Sequence, residues 1–255
     1  MPQRYFLEVM YKGTGYSGFQ VQKNAPGTIQ AEVEKAIAIL QKQPVSLTGS
    51  SRTDAGVHAW QNFFHFDFDG AINVHFLYKL NAIMPRDIVA KNIYAVLPEA
   101  HCRFDAIARI YHYHIYRDKN PFLADRAYYY PYALDLEKMQ EAAAIIKTYA
   151  DFTSFSKRNT QVKTFLCSIA ESGWKRDAGQ LIYQVKANRF LRGMVRGLTG
   201  TMLQVGRNKI SIDQFKKIIE AKDCSMADFS VPGHGLFLTG LQYPAALNLT
   251  PLAMR

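Results

Sequence analysis

The chain has 255 residues, 48% hydrophobic and 20% charged, enough for one large domain or two small ones of ordinary soluble composition. A formal net charge of +10 favours a polyanionic partner, RNA or DNA ahead of an acidic membrane, because no segment forms a basic amphipathic helix with large apolar residues. Three widely spaced cysteines, Cys102, Cys167 and Cys224, argue against a disulfide framework. No signal-peptide core or membrane-spanning apolar run is visible, so the expected location is the cytoplasm.

RYFLEVMYKG at the start reads as a strand, with Phe6, Glu8 and Met10 on one face and Leu7, Val9 and Tyr11 on the other. A glycine-rich loop follows. Thr28 is placed to cap a helix whose buried stripe is Ile29, Val33, Ala36, Ile37 and Leu40. PVSLTG and NFFHFDF read as strands; in the second, Phe64, Phe66 and Phe68 alternate with His65, Asp67 and Asp69. VHFLYKLNAI reads as a helix stopping before Pro85, and DIVAKNIYAV as a strand.

A second set begins near Phe104. RIYHYHIYR is a strand with Arg109, Tyr111, Tyr113 and Ile115 on one face. Asp135 caps a helix carrying Leu136, Met139, Ala143 and Ile146. FLCSIAESGW and QLIYQVKA read as paired strands. FLRGMVRGLTGTMLQVG reads as a helix on which Arg192 and Arg196 share a face. Ser211 caps a further helix through Ile219, and GLFLTGLQYP supplies a late strand. Both halves follow a strand–helix–strand–strand order, which predicts an α+β protein built on antiparallel sheet.

Among the motifs, Gly13-Thr14-Gly15-Tyr16-Ser17-Gly18 fits the dinucleotide fingerprint and follows a strand. Pro26 and Gly27 then precede any helical pattern, so a tight strand-end loop is the better reading and a nucleotide-dependent oxidoreductase the poorer. Histidines and cysteines show no metal-ligand spacing, and no G-x-S-x-G element is present. The basic run around Arg189, Arg192 and Arg196 has the pattern usual for a solvated face, but Gly193, Gly197 and Gly200 would let a ligand come close, so an Arg here could instead serve as a phosphate contact or as the partner of a carboxylate. GSSRTDAGVHA, residues 49–59, sets Asp54 among Arg52, Thr53, Gly56 and His58 in a segment poor at forming helix or strand. Its residues alone leave open an ordinary turn with a surface Asp–Arg pair and a polar loop that holds chemistry.

Seven segments together resemble the tRNA pseudouridine synthase A family: YKGTGYSGFQVQ, SRTDAGVHA, HFDF, RFDAIARIYHYHIY, DFTSFSK, FLRGMVRGLTGTMLQVG and GLFLTGLQY. They run from about Tyr11 to Tyr243, and the RTDAGVHA string is the most specific of them. The resemblance implies two ferredoxin-like halves, residues 1–103 and 104–255, forming a continuous, mostly antiparallel sheet flanked by helices with a basic cleft between them. It implies a homodimer that isomerises uridine to pseudouridine in the anticodon stem-loop of tRNA, in the region of positions 38 to 40, without metal or organic cofactor.

It also implies roles for individual residues. Asp54 matches the nucleophile, Arg196 its ion-pair partner, Tyr111 the ring that stacks on the target uracil, and Arg52 the residue that accompanies base extrusion. His58 and Arg192 are candidate RNA contacts. These residue types fit the reaction. A carboxylate is a competent nucleophile, a neighbouring guanidinium keeps it ionised, and an aromatic ring can hold a flipped base. The chain departs from the family's usual pattern at Ser51 (Gly), Phe19 (Trp), Phe165 after Lys163-Thr164 (Arg) and Gly197 (Asn), which bear on the choice of RNA site. The rival reading is a non-catalytic tRNA-binding relative of the same fold.

Overall fold

The computed structural model describes residues 2–22, 27–69, 72–158 and 162–253. Pro26 lies outside them. In chain order the elements are β1 (Gln3–Tyr11), α1 (Ile29–Gln41), β2 (Thr48–Gly49), β3 (His58–Phe68), α2 (Phe76–Ile83), β4 (Ile88–Val96), β5 (Ala108–Tyr116), β6 (Tyr128–Tyr129), α3 (Leu136–Ile146), β7 (Ile169–Asp177), β8 (Gln180–Ala187), α4 (Met194–Gly206), α5 (Ile212–Glu220) and β9 (Leu236–Gln242). The fold is α+β, and its strands pair mostly antiparallel. Two compact units form, one from 1–107 with 238–255 and the other from 108–237.

In the first unit β1 pairs with both β3 and β4, and β2 pairs with β3, each antiparallel. The spatial order β4-β1-β3-β2 over the sequence β1-α1-β2-β3-α2-β4 is the split βαβ pattern of ferredoxin-like folds. Thr28 caps α1 by accepting from the Ala31 N–H at 3.2 Å, and Ile29, Val33, Ala36 and Ile37 are buried as the stripe requires. Of PVSLTG only Thr48–Gly49 joins the ladder. The Leu47 N–H instead donates to Glu34 Oε1 at 2.9 Å, and its carbonyl accepts from Gln30 Nε2 at 2.9 Å, so α1 side chains replace the ladder partners. Asn81 ties α2 to β4 by bonding both backbone groups of Ala90.

The strand alternation expected of NFFHFDF is only half expressed. Phe64 and Phe66 are buried, yet so are Phe63 and His65. Phe6, Tyr243 and Cys102 cover that second face: Phe63 meets Tyr243 edge-on at 5.3 Å, and His65 Nδ1 lies 3.2 Å from Cys102 Sγ. Each fully buried phenylalanine is worth about 1.5–3 kcal/mol against exposure, so covering both faces is a large part of this unit's stability. The β1–β3 ladder also slips: Val9 opposes Asn62, but Tyr11 opposes Ala59, so β3 carries an extra residue in the Trp60–Gln61 stretch.

Apart from the short β6, which pairs with β5, the second unit repeats the opening of the pattern, with β5-β6-α3-β7-β8-α4 in sequence and β5-β8-β7 in space. Asp135 caps α3 through the Lys138 N–H at 3.1 Å, and Ser211 with Gln214 forms a capping box on α5. Strand β7 starts only at Ile169, because the preceding residues bond elsewhere: Cys167 N–H to the Ala150 carbonyl, Phe152 N–H to that of Phe165. The expected helix over FLRGMVR begins later than its pattern implied. Gly193 holds a left-handed φ of 75° at the N-cap, which an α-helix cannot contain, so α4 starts at Met194. Arg192 therefore lies in the preceding loop and does not share a helix face with Arg196, a correction to the sequence reading.

Candidate active site

Asp54 sits in the first unit, on the loop between β2 and β3, half-buried and followed by a turn. Its carbonyl accepts from the Val57 N–H at 3.2 Å, and Gly56 supplies the positive φ of 77° that this turn needs. Thr53, one residue earlier, is held twice. Its carbonyl accepts from the Phe19 N–H at 3.1 Å, and its hydroxyl lies 2.7 Å from the Tyr11 hydroxyl. Tyr11 in turn accepts from Asn62 Nδ2 at 3.1 Å. Burial pushes the Tyr11 phenol well above its ordinary pKa, so it keeps its proton.

The glycine-rich loop braces the Asp54 loop directly. A Cβ on Gly18 would stand 3.1 Å from the Thr53 carbonyl oxygen, and one on Gly13 would stand 2.0 Å from that of Val57. Gly13 also donates its N–H to His58 Nδ1 at 3.1 Å. His58 is buried, whereas Arg52 is exposed. Phe19 stacks on Phe64 at 4.5 Å and fills the space above Gly49.

The second unit carries Tyr111 and Arg196. Tyr111 lies on β5 opposite Val185, buried, with its ring edge-on to Phe190 at 5.1 Å. Two residues on, Tyr113 donates to the Pro232 carbonyl at 2.7 Å. Burial pushes the Tyr113 phenol far above its ordinary value, against the pull of the Arg196 guanidinium. Arg196, half-buried in the first turn of α4, donates from Nε to the Val231 carbonyl at 2.8 Å and from Nη2 to that of Phe229 at 3.4 Å. Glycines let this segment approach. A Cβ on Gly200 would meet the Asp228 carbonyl oxygen at 2.2 Å, and one on Gly197 the Phe229 ring at 2.8 Å. Arg192 is exposed, and its carbonyl accepts from the Lys157 N–H at 2.9 Å. No group of three or more metal-ligating side chains occurs among the described residues.

A family model described as tRNA pseudouridine synthase matches residues 149–244. A protein of Parabacteroides distasonis described as tRNA pseudouridine synthase A is 45% identical over 247 residues, 96% of this chain and 98% of that protein. One of Porphyromonas gingivalis with the same description is 45% identical, covering 96% and 99%. One of Bacillus subtilis is 38% identical, covering 92% and 97%. The chain belongs to the tRNA pseudouridine synthase A family.

At Gly197 the Phe229 ring lies 2.8 Å from where a Cβ would stand. The Ser51 carbonyl accepts from Asn62 Nδ2 at 2.9 Å, while its buried hydroxyl has no hydrogen-bond partner among the described residues. The Phe165 carbonyl accepts from the Phe152 N–H at 3.1 Å. Sequence reasoning missed Tyr11 and Asn62 as supports of the loop. The available signal was one amide inside the apolar run NFFHF, a polar group that must find partners if buried.

Proposed function

We propose that this chain converts uridine to pseudouridine in the anticodon stem-loop of tRNA, with the Asp54 carboxylate as nucleophile. Family membership makes it an isomerase of the tRNA pseudouridine synthase class, and a non-catalytic tRNA-binding role is not favoured. The observation that carries the residue assignment is the loop itself. Backbone and hydroxyl bonds fix Thr53, and a turn fixes the Asp54 carbonyl, so a half-exposed carboxylate stands on a rigid mount.

In this reading the target nucleotide leaves its stack, Arg52 takes part in the extrusion, and the uracil rests on Tyr111. Asp54 attacks the uracil ring or the anomeric carbon, and the C–N glycosidic bond breaks. The base turns and rejoins through C5, which loses its proton while N1 gains one, so atoms balance without a redox step. Arg196 serves as the ion-pair partner of Asp54. Arg192 offers an exposed cation to the RNA backbone, and His58 serves the RNA-facing loop from beneath. The working form is a cytoplasmic homodimer, for which light scattering is the direct measurement. Unmodified tRNA transcripts incubated with wild type and Asp54→Asn should yield pseudouridine with the first only, mapped by position, with tRNA binding retained by both. Wild-type-like turnover by Asp54→Asn would overturn the assignment.

A further inference from the structure

Asn62 is fully buried in β3, the strand into which the Asp54 loop runs. All four hydrogen-bonding positions of its amide are used. Oδ1 accepts from the Ser50 hydroxyl at 2.7 Å and from the Phe63 N–H at 2.9 Å. Nδ2 donates to the Ser51 carbonyl at 2.9 Å and to the Tyr11 hydroxyl at 3.1 Å. Tyr11 thus accepts from Asn62, and its hydroxyl shares a second hydrogen bond of 2.7 Å with Thr53 Oγ1. Three of the four residues immediately before Asp54 are therefore held, directly or through one phenol, by a single amide.

We propose that Asn62 is a positioning residue, setting the direction of the Asp54 carboxylate through Ser51 on one path and through Tyr11 and Thr53 on the other. The proposal rests on the reading of Asp54 as nucleophile. A buried amide in an apolar sheet carries a desolvation cost that a valine or leucine would not, and the bonds that offset it are the ones that hold the residues before Asp54. Two of its bonds run to Ser50 and Ser51 of the loop, a third to Tyr11, which itself bonds Thr53, and the fourth to its neighbour Phe63. A reacting carboxylate must be held closely, because a displacement of about 1 Å can cost about a hundredfold in rate.

The test uses full-length Asn62→Val, Tyr11→Phe and Thr53→Val, with Asp54→Asn alongside. Tyr11→Phe and Thr53→Val keep ring and branched shape, so they remain informative if Asn62→Val fails to fold. Both should bind unmodified tRNA within about twofold of wild type and stay folded at the assay temperature, with a lowered Tm in Tyr11→Phe, where Asn62 Nδ2 loses an acceptor. Under single-turnover conditions with saturating enzyme, both should form pseudouridine about ten- to a hundredfold more slowly. Adding Thr53→Val to Tyr11→Phe should cost little more, since both cut one path. Wild-type rates in the two folded variants would overturn the proposal. So would rate losses matched by equal losses of tRNA affinity, or fully additive effects. An active Asp54→Asn would instead overturn the nucleophile assignment. An inactive Asp54→Asn with wild-type Tyr11→Phe and Thr53→Val would remove the positioning role alone.

Discussion

The backbone N–H of Gly13 donates to Nδ1 of His58 over 3.1 Å, so the glycine-rich loop meets the first residue of β3, just after the Asp54 loop, at this bond. The neutral imidazole therefore carries its proton on Nε2. Gly13→Ala would drive a Cβ to 2.0 Å from the Val57 carbonyl oxygen, so one backbone must move. The expected cost is roughly 1–3 kcal/mol of stability, with a loss of turnover exceeding the loss of tRNA affinity. Thermal melts and single-turnover assays on the same preparation measure both.

Glu8 is a buried carboxylate in β1 with donors at 2.7 Å from Asn92 and Tyr94 and at 3.0 Å from Gln61. Burial pushes its pKa up, but these three bonds outweigh burial and hold it below the ordinary 4.5. A carboxyl whose folded pKa is depressed stabilises the fold fully above the unfolded value, and that stability is lost as pH falls through the folded one. Glu8→Gln should lower the Tm at neutral pH, by about 1–3 kcal/mol in stability, and flatten the acid limb below pH 4.5. Melts across that range test the sign.

His65 and His112 push the acid limb to higher pH. Burial, then the neighbouring His101 and Arg4, lower His65 to about 4; burial and then His114 lower His112 to about 4, from the ordinary 6.5. Both are neutral when folded at a pH where the unfolded chain takes up protons. Stability is complete above 6.5 and falls as pH drops towards 4. Replacing His112 by Gln should shallow that fall, as read from urea midpoints at pH 7 and 5.

The segment that holds Arg196 can be displaced from behind. On Gly200 a methyl group meets the Asp228 backbone, whereas on Gly197 it meets only the far edge of the Phe229 ring. Gly200→Ala should therefore cost more stability and more turnover than Gly197→Ala. Arg196→Lys cannot reproduce the paired bonds to Val231 and Phe229, and it should lower the single-turnover rate by at least about tenfold.

Arg52 and Arg192 are exposed cations. If each meets a phosphate, replacing either with Ala should reduce the slope of log affinity against log salt by about one. Filter binding between low and moderate salt gives that slope.

Much of the fold was legible in the sequence, because it is written in local chemistry. Thr28, Asp135 and Ser211 are caps whose helices start where their side chains bond. Misreadings arose where a distant segment supplied the partner. PVSLTG has strand composition, but Gln30 and Glu34 satisfy Leu47 first. Arg192 has helical spacing from Arg196, but the left-handed Gly193 intervenes. His65 alternates like a surface residue and is buried because Phe6 and Cys102 close over it. At the candidate site, RTDAGVHA was visible as a string. Its supports were not, since Tyr11 and Asn62 lie far apart in sequence and meet only through the β1–β3 ladder.

That ladder slips by one residue between Val9 and Tyr11. Ala59 and Asn62 are an odd number apart, so an unbroken strand would point them to opposite sides; the extra residue at Trp60–Gln61 turns both to the side of Tyr11. Losing one residue there would leave Ala59 and Asn62 two apart, on one side of an unbroken strand and still opposite Tyr11 and Val9. The extra residue thus sets the local bend and twist of β3 between the Asp54 loop and Asn62, and leaves the pairing on both flanks unchanged.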